Sequence, residues 1–253
     1  LAEAGELAEA VARGARLAVV DPRRTGHVHQ AAHWLRVRPG TDAALALGLA
    51  HLLIASGRID RAFLRDWTNG PLLVREDEGR LLRMGDHSGD PADGRFVVFD
   101  EAAGRAVPFD PGQEPGAGAF PALEGRFEVA GIACRTAFDR FAERAALWPS
   151  DRVETVTGVP AASVEALAEA IGDARAVSWY AWTGVGQHAG STQTARAIAT
   201  LHALTGSFDA PGGNLVPGRL PIAPIADRSL LAEPQRAKAL GAADRPIGPA
   251  ALG

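Results

Sequence analysis

At 253 residues, 47% hydrophobic and 22% charged, the chain has the composition of a soluble globular protein with room for one large or two small domains. A net charge of −4 excludes broad attraction to nucleic acid or anionic lipid, so any recognition of phosphate must be local. The single cysteine, Cys134, excludes an internal disulfide and any cysteine-only iron–sulfur or zinc site built from this chain alone. The longest apolar run, residues 43–55, is interrupted by Gly48 and His51 and is too short for a membrane span.

In chain order, Ala4, Leu7, Ala8 and Val11 fall at helical spacing, and Gly14 stops that helix before a strand over residues 16–21. A helix leading into a strand predicts an earlier strand upstream. The chain begins on Leu1 inside this pattern and ends on Gly253 without a closing element, so an internal segment of a longer protein is expected. Pro22 keeps the strand from continuing in a central ladder. A short segment over 25–32 leads to a second strand at 34–38, which Pro39-Gly40 turns. Thr41 suits a helix N-cap and Asp42 the positive end of a helix dipole, and the helix that follows to Ser56 is apolar on nearly all sides, which predicts burial all round. Asp60 opens another helix through Trp67.

From Pro71 to about Val129 the pattern becomes β-rich. Residues 72–75 and 80–83 flank Glu76-Asp77-Glu78-Gly79 as one expected hairpin, and residues 96–99 and 105–108 form another. Loops rich in Gly, Pro and Asp follow, notably over 110–121. Helical spacing resumes with Phe138, Phe141, Ala142 and Ala145, and again with Val164, Leu167, Ala168 and Ile171, which predicts a helix over 161–172 with one buried stripe. A strand over 176–181 and a helix over 191–205 make a further βα unit. The expected organisation is an α/β domain from residues 1–70 and 130–214, a β-rich insertion at 71–129, and an extended segment over 215–253 leading into a further domain.

Three stretches carry chemistry. A carboxylate reads guanine naturally, because its two oxygens accept from N1–H and the exocyclic amine together; Asp21 and Asp42, each just past a strand end, are the candidates, with helix capping the competing role for Asp42. Arg23 and Arg24 match the bidentate geometry of a pyrophosphate, and equally the pattern of solvated surface charge. The run Trp182-Thr183-Gly184-Val185-Gly186-Gln187-His188-Ala189-Gly190 lets backbone N–H groups approach a ligand ahead of a helix, but its glycines do not fit G-x-G-x-x-G. His29 and His33 are spaced as on a zinc-binding helix face, yet no Glu follows His29 and no third ligand is evident. Neither a G-x-S-x-G elbow nor a Walker loop occurs.

Taken together, Val20-Asp21-Pro22-Arg23-Arg24-Thr25, Arg38-Pro39-Gly40-Thr41-Asp42, Gly184-Val185-Gly186-Gln187-His188 and Gly206-Ser207-Phe208-Asp209-Ala210-Pro211-Gly212-Gly213-Asn214 resemble, in this order and spacing, the molybdopterin oxidoreductases of the dimethyl sulfoxide reductase type. The resemblance implies an α/β fold with a Rossmann-like parallel sheet flanked by helices and a β-hairpin-rich insertion, holding molybdenum bis-molybdopterin guanine dinucleotide. It implies that Asp21, Pro22 and Arg23 lie at the nucleotide end and that Pro39, Gly40, Thr41 and Asp42 surround the guanine. Gly184, Gly186, Gln187 and His188 would face the pterin, with Gly213 and Asn214 on a second loop near the cofactor. No catalytic residue and no metal ligand is expected within this chain.

Members of that family also carry a protein ligand to molybdenum, a Gly-x-Asn-Pro loop, a C-terminal cofactor-binding domain and often cysteines for a [4Fe-4S] cluster. None of these lies in this sequence, so the fragment is expected to be inactive alone, and any [4Fe-4S] cluster to be bound by a part of the protein outside it. The implied partners are a small-molecule redox substrate and an electron-transfer subunit, with no nucleic acid and no membrane segment, and the expected compartment is the cytoplasm unless a twin-arginine leader precedes the chain. Two other readings stay open: a scaffold without molybdenum, like the large iron–sulfur subunit of respiratory complex I, and a nicotinamide dinucleotide protein, which the missing G-x-G-x-x-G disfavours.

Overall fold

The computed structural model describes residues 2–109, 119–216, 218 and 230–236. Two compact units are present, Leu1–Val216 and Pro217–Gly253. The loop over 110–118 and most of the expected extended segment lie outside the described residues; within the second unit, Glu233–Arg236 form a single helical turn.

The first unit is mixed α/β. Helix α1 (Ala2–Ala12) precedes strand β1 (Ala18–Val20), which pairs in parallel with β2 (His33–Leu35) in the register Ala18↔His33, Val19↔Trp34, Val20↔Leu35. Helix α2 (Asp42–Ala55) is its centre. Ala44, Leu45, Ala46, Leu49, Ala50 and Leu53 are all buried, and Ala43, Leu47, His51 and Ile54 on the remaining side are half-buried, so no face over residues 43–54 is exposed, as the all-round apolar sequence requires. Four helices cover it: α4 (Ala137–Ala146), α5 (Ser150–Thr157), α6 (Ala161–Gly172) and α7 (Ser191–Leu204), through Phe138, Val153, Val164, Leu167, Leu201 and Leu204. Gly48 is needed where α2 meets α5, because a β-carbon there would collide with the Val153 side chain. Asp60 caps α3 (Arg61–Trp67), its carboxylate accepting from Phe63 N at 2.8 Å.

The β-rich region holds two small sheets around Leu73, Leu82, Val97, Val129 and Cys134, with its last strand, over 132–136, beyond the 71–129 bounds expected for the insertion. One is antiparallel with the order β3 (Leu73–Arg75), β7 (Ile132–Thr136), β6 (Arg126–Val129); the other is the hairpin of β4 (Phe96–Asp100) and β5 (Arg105–Phe109), in the place expected. The first expected hairpin exists only as a tight turn. Arg75 N bonds Arg80 O and Leu82 N bonds Leu73 O, but β3 takes its ladder from β7, more than fifty residues on. Hairpin β6–β7 was not anticipated. Its turn is Ala130-Gly131, both at positive φ (50° and 81°), and alanine there conceals a turn that Asn-Gly would have announced.

The expected strand over 176–181 is also corrected. This segment joins no ladder: its backbone is held instead by side chains, Val177 N donating to Ser207 Oγ at 3.1 Å and Trp179 bonded on both its N–H and C=O by Asn214.

Candidate functional site

The carboxyl ends of β1 and β2 are tied together. Asp21 N donates to Leu35 O at 3.3 Å, Trp34 Nε1 to Asp21 O at 2.9 Å and Arg36 Nε to Pro22 O at 3.2 Å. The Asp21 carboxylate closes its own turn by accepting from Arg23 N at 2.7 Å, a local Asx-type bond, with the Arg23 Nε 3.7 Å away. The Arg23 side chain is 82% exposed, so its guanidinium points into solvent at this edge.

Three residues beyond β2, Arg38 fixes the next turn. Its backbone N donates to Thr157 O at 2.9 Å, and its Nη1 donates to Thr155 O at 2.9 Å and Val156 O at 3.1 Å. These are the carbonyls that the end of α5 leaves without intrahelical partners, and a cation is favoured there. Pro39 and Gly40 follow, Gly40 at φ +82°. Thr41 stands at the N-cap position but does not cap: its hydroxyl donates to Arg38 O at 2.7 Å. Asp42 is the first residue of α2, half-buried, and among the described residues its carboxylate has neither hydrogen bond nor ion pair.

The facing wall is the single 3₁₀ turn Thr183–Gly186, closed by Gln187 N donating to Gly184 O at 3.3 Å. Gly184, Gly186 and Gln187 are exposed. His188 is not. Its Nδ1 lies 2.9 Å from Ala189 O, and since a carbonyl only accepts, Nδ1–H is the donor in that bond. Its Nε2 is buried without a partner among the described residues. A β-carbon on Gly40 would lie 3.7 Å from His188 Cγ, so the two loops are adjacent, with room for little more than a methyl group between them.

Helices α2 and α7 both begin at this approach, and their far ends also meet, Asp60 N donating to Leu204 O at 2.8 Å just after α2. The pair therefore runs parallel. Two helix N-termini, each with a partial positive charge, converge beside Gly40 and His188.

The structure thus brings Pro39, Gly40, Thr41, Asp42 and His188 together and ties Asp21, Pro22 and Arg23 to the same strand ends. Gly213 and Asn214 sit differently. Ser207 O fills the space a β-carbon on Gly213 would need, and the Asn214 carboxamide bonds the Trp179 backbone. Arg36, Arg38 and Ser207 were not singled out from sequence, although Arg38 opens the Pro-Gly-Thr-Asp run; their value lies in backbone carbonyls and amides that only the fold brings near. A cleft of about 560 Å³ lies at the opposite ends of α2 and α7. Its charged side chains are occupied: Arg58 with Asp173, Arg61 with Glu124, Asp60 with Phe63 N. Among the described residues no three His, Cys, Asp or Glu side chains form a metal site.

The Asp42 carboxylate and His188 Nε2, without partners among the described residues, thus lie beyond the carboxyl ends of a parallel strand pair and beside two helix N-termini. Over residues 2–232 the chain matches the molybdopterin oxidoreductase family, and it belongs to that family. It is 31% identical over 211 residues to the dimethylsulfide dehydrogenase subunit alpha of Rhodovulum sulfidophilum, covering 81% of this chain and 23% of that protein. It is 33% identical over 215 residues to the chlorate reductase subunit alpha of Ideonella dechloratans, covering 80% of this chain and 24% of that protein. The acetylene hydratase of Pelobacter acetylenicus shares its fold, with a TM-score of 0.53 and 23% identity over 81% of this chain and 19% of that one. The chain spans about a quarter of the length of the curated relatives it matches. No helix among the described residues is long and apolar enough to cross a membrane.

Proposed function

We propose that this chain is the central cofactor-holding portion of a molybdopterin-dependent oxidoreductase and binds one end of a bis-molybdopterin guanine dinucleotide. The observation that carries this reading is that the half-buried Asp42 carboxylate and the buried His188 Nε2 have no partner among the described residues, on two loops adjacent at Gly40. The fit is chemical. A guanine presents N1–H and an amine to a carboxylate, and a pterin carries both N–H donors and ring acceptors, either of which an imidazole nitrogen can meet. Asp42 would accept from the guanine, with Pro39, Gly40 and Thr41 shaping the turn around it. Arg23, exposed at the same strand ends, would pair with the pyrophosphate, while Asp21 and Pro22 hold the turn that presents it. Gln187 and His188 would bond the pterin, and Gly184 and Gly186 leave room for close backbone approach.

When bound, the group supplies two-electron redox chemistry, including transfer of an oxygen atom, to a small-molecule substrate. The chain's own part is to bind and orient it and to set the local electrostatics. The ligand to molybdenum, any [4Fe-4S] cluster and the surface for an electron-transfer subunit would belong to other parts of the full-length protein, and the segment alone would be inactive. Metal and nucleotide analysis of the purified full-length protein tests this: molybdenum and a released guanine nucleotide are expected in fixed ratio to protein. Their joint absence would leave the fold as a scaffold.

A further inference from the structure

The strand expected at 176–181 has no neighbouring strand, and what replaces one is the side chain of Asn214, helped by that of Ser207. Trp179 N donates to Asn214 Oδ1 at 2.8 Å, and Asn214 Nδ2 donates to Trp179 O at 2.7 Å. A carboxamide has the donor and acceptor of a peptide group, so this two-bond exchange reproduces one narrow pair of an antiparallel ladder. Ser207 Oγ adds a bond from Val177 N at 3.1 Å.

The residues that aim Asn214 are themselves tightly held. Asn214 N donates to Ser207 O at 3.0 Å and its carbonyl accepts from Asp209 N at 2.7 Å. Asp209 and Gly212 take positive φ values of 53° and 86°, and Gly213 has no space for a β-carbon. Such a loop is built to present one side chain, and its target is the segment that leads directly into Thr183–His188.

We propose that Asn214 is a positioning residue whose carboxamide latches residues 176–182 and so holds the 183–188 turn against Gly40. The turn is anchored downstream by α7, which packs on α2 through Leu201 and Leu204. Upstream, the hydrogen bonds that hold it are those of Asn214 and Ser207, which fix the backbone of a segment whose Val177 and Trp179 side chains also pack against the helical core. Breaking the latch frees one arm of the turn while the helical core stays in place. Only the effect on cofactor retention rests on the function proposed above; the latch itself does not.

The test is hydrogen exchange by mass spectrometry on the full-length protein, with Asn214→Ala and Asn214→Asp, alongside measurement of bound molybdopterin over time. Asp has the shape of Asn but no donor for Trp179 O, so a donor-and-acceptor latch fails in both variants. Exchange in peptides over 176–190 is expected to rise on the order of tenfold, from the loss of two hydrogen bonds, while peptides of α2 keep their protection. Cofactor release accelerates with it. Ser207→Ala, which removes the Val177 bond and the donation from Ser207 Oγ to Thr205 O at the end of α7 but leaves the Asn214 pair, gives the same local pattern at smaller amplitude and carries the test should the Asn214 variants unfold. Wild-type exchange in Asn214→Asp, or a rise spread equally over α2 in Ser207→Ala, overturns the proposal. Faster local exchange in a protein that holds no molybdopterin would leave the latch standing and overturn only the function assigned to the turn.

Discussion

The insertion and the Gly40–His188 end of the helical core both carry carboxylates, and they treat them in opposite ways. In the insertion Asp86 accepts from Arg80 Nη2 at 2.6 Å, Arg80 Nη1 at 2.8 Å, Arg75 Nη1 at 3.3 Å and Arg83 N at 2.7 Å. Arg75 also pairs with Asp77 at 2.7 Å and Glu78 at 2.9 Å. The Arg80 guanidinium, followed by the Arg83 amide, holds the Asp86 carboxyl well below the usual carboxylate range. At the other end Asp42 and the Nε2 of His188 have no partners among the described residues. Charges that satisfy one another contribute to stability; polar groups without partners where helix N-termini meet are open to a ligand.

The comparison breaks if deleting charges costs the same thing in both places. Asp86→Ala is the largest expected effect, about 2–3 kcal/mol of stability, because the half-buried Arg75 and the Arg83 amide lose a charged partner; urea unfolding of the full-length protein measures it, and a loss below about 0.5 kcal/mol would remove the structural role. Asp42→Ala should do the reverse. Bound molybdenum and guanine nucleotide fall about tenfold while unfolding free energy changes by less than about 0.5 kcal/mol, since no partner is abandoned. Unchanged cofactor content would leave Asp42 as an acid in the first turn of a helix and nothing more.

Arg38→Ala sharpens the boundary between the two behaviours, because Arg38 supports the site from outside it. Losing its bonds to Thr155 O and Val156 O should cost about 1 kcal/mol, visible in the unfolding midpoint, with a smaller drop in cofactor content than Asp42→Ala. Acid gives the mildest test. Asp77 and Asp93 are lowered to about 2 by side-chain bonds from Arg75 and Arg95, and Asp86 is lowered further by Arg80. Folded values below the unfolded value of about 3.9 mean that their stabilisation is complete above about pH 4 and is lost as pH falls toward 2. Amide exchange in peptides over 73–109 is expected to quicken across that window, and a flat profile there would show that the ion pairs contribute nothing.

Much of the helical core was legible because its signals are local. The stripe of Val164, Leu167, Ala168 and Ile171 marked α6 with its observed ends, and the all-round apolar run marked α2 as buried. Hairpin β4–β5 was legible from short runs around a turn. Helix α5, which follows Pro149 and ends at the left-handed Gly158, was not anticipated. Neither was the pairing of β3 with β7, since nothing within the few residues that set a local pattern names a partner so distant.

Asp42 and Asp86 show where sequence stops. Each is an acid in the first turn of a helical segment, α2 in one case and the 3₁₀ turn Met84–Asp86 in the other. The order of residues announced the placement of Asp42, because helix-dipole preference acts over one turn, whereas the three-residue turn at Asp86 carries no such signal. Only the tertiary structure decided that arginines six and eleven residues away in sequence, Arg80 and Arg75, close on Asp86 while Asp42 stays bare beside His188, 146 residues along the chain. Whether a polar atom has a partner depends on what folding brings within about 3 Å of it, and that distance is not a property of neighbouring residues.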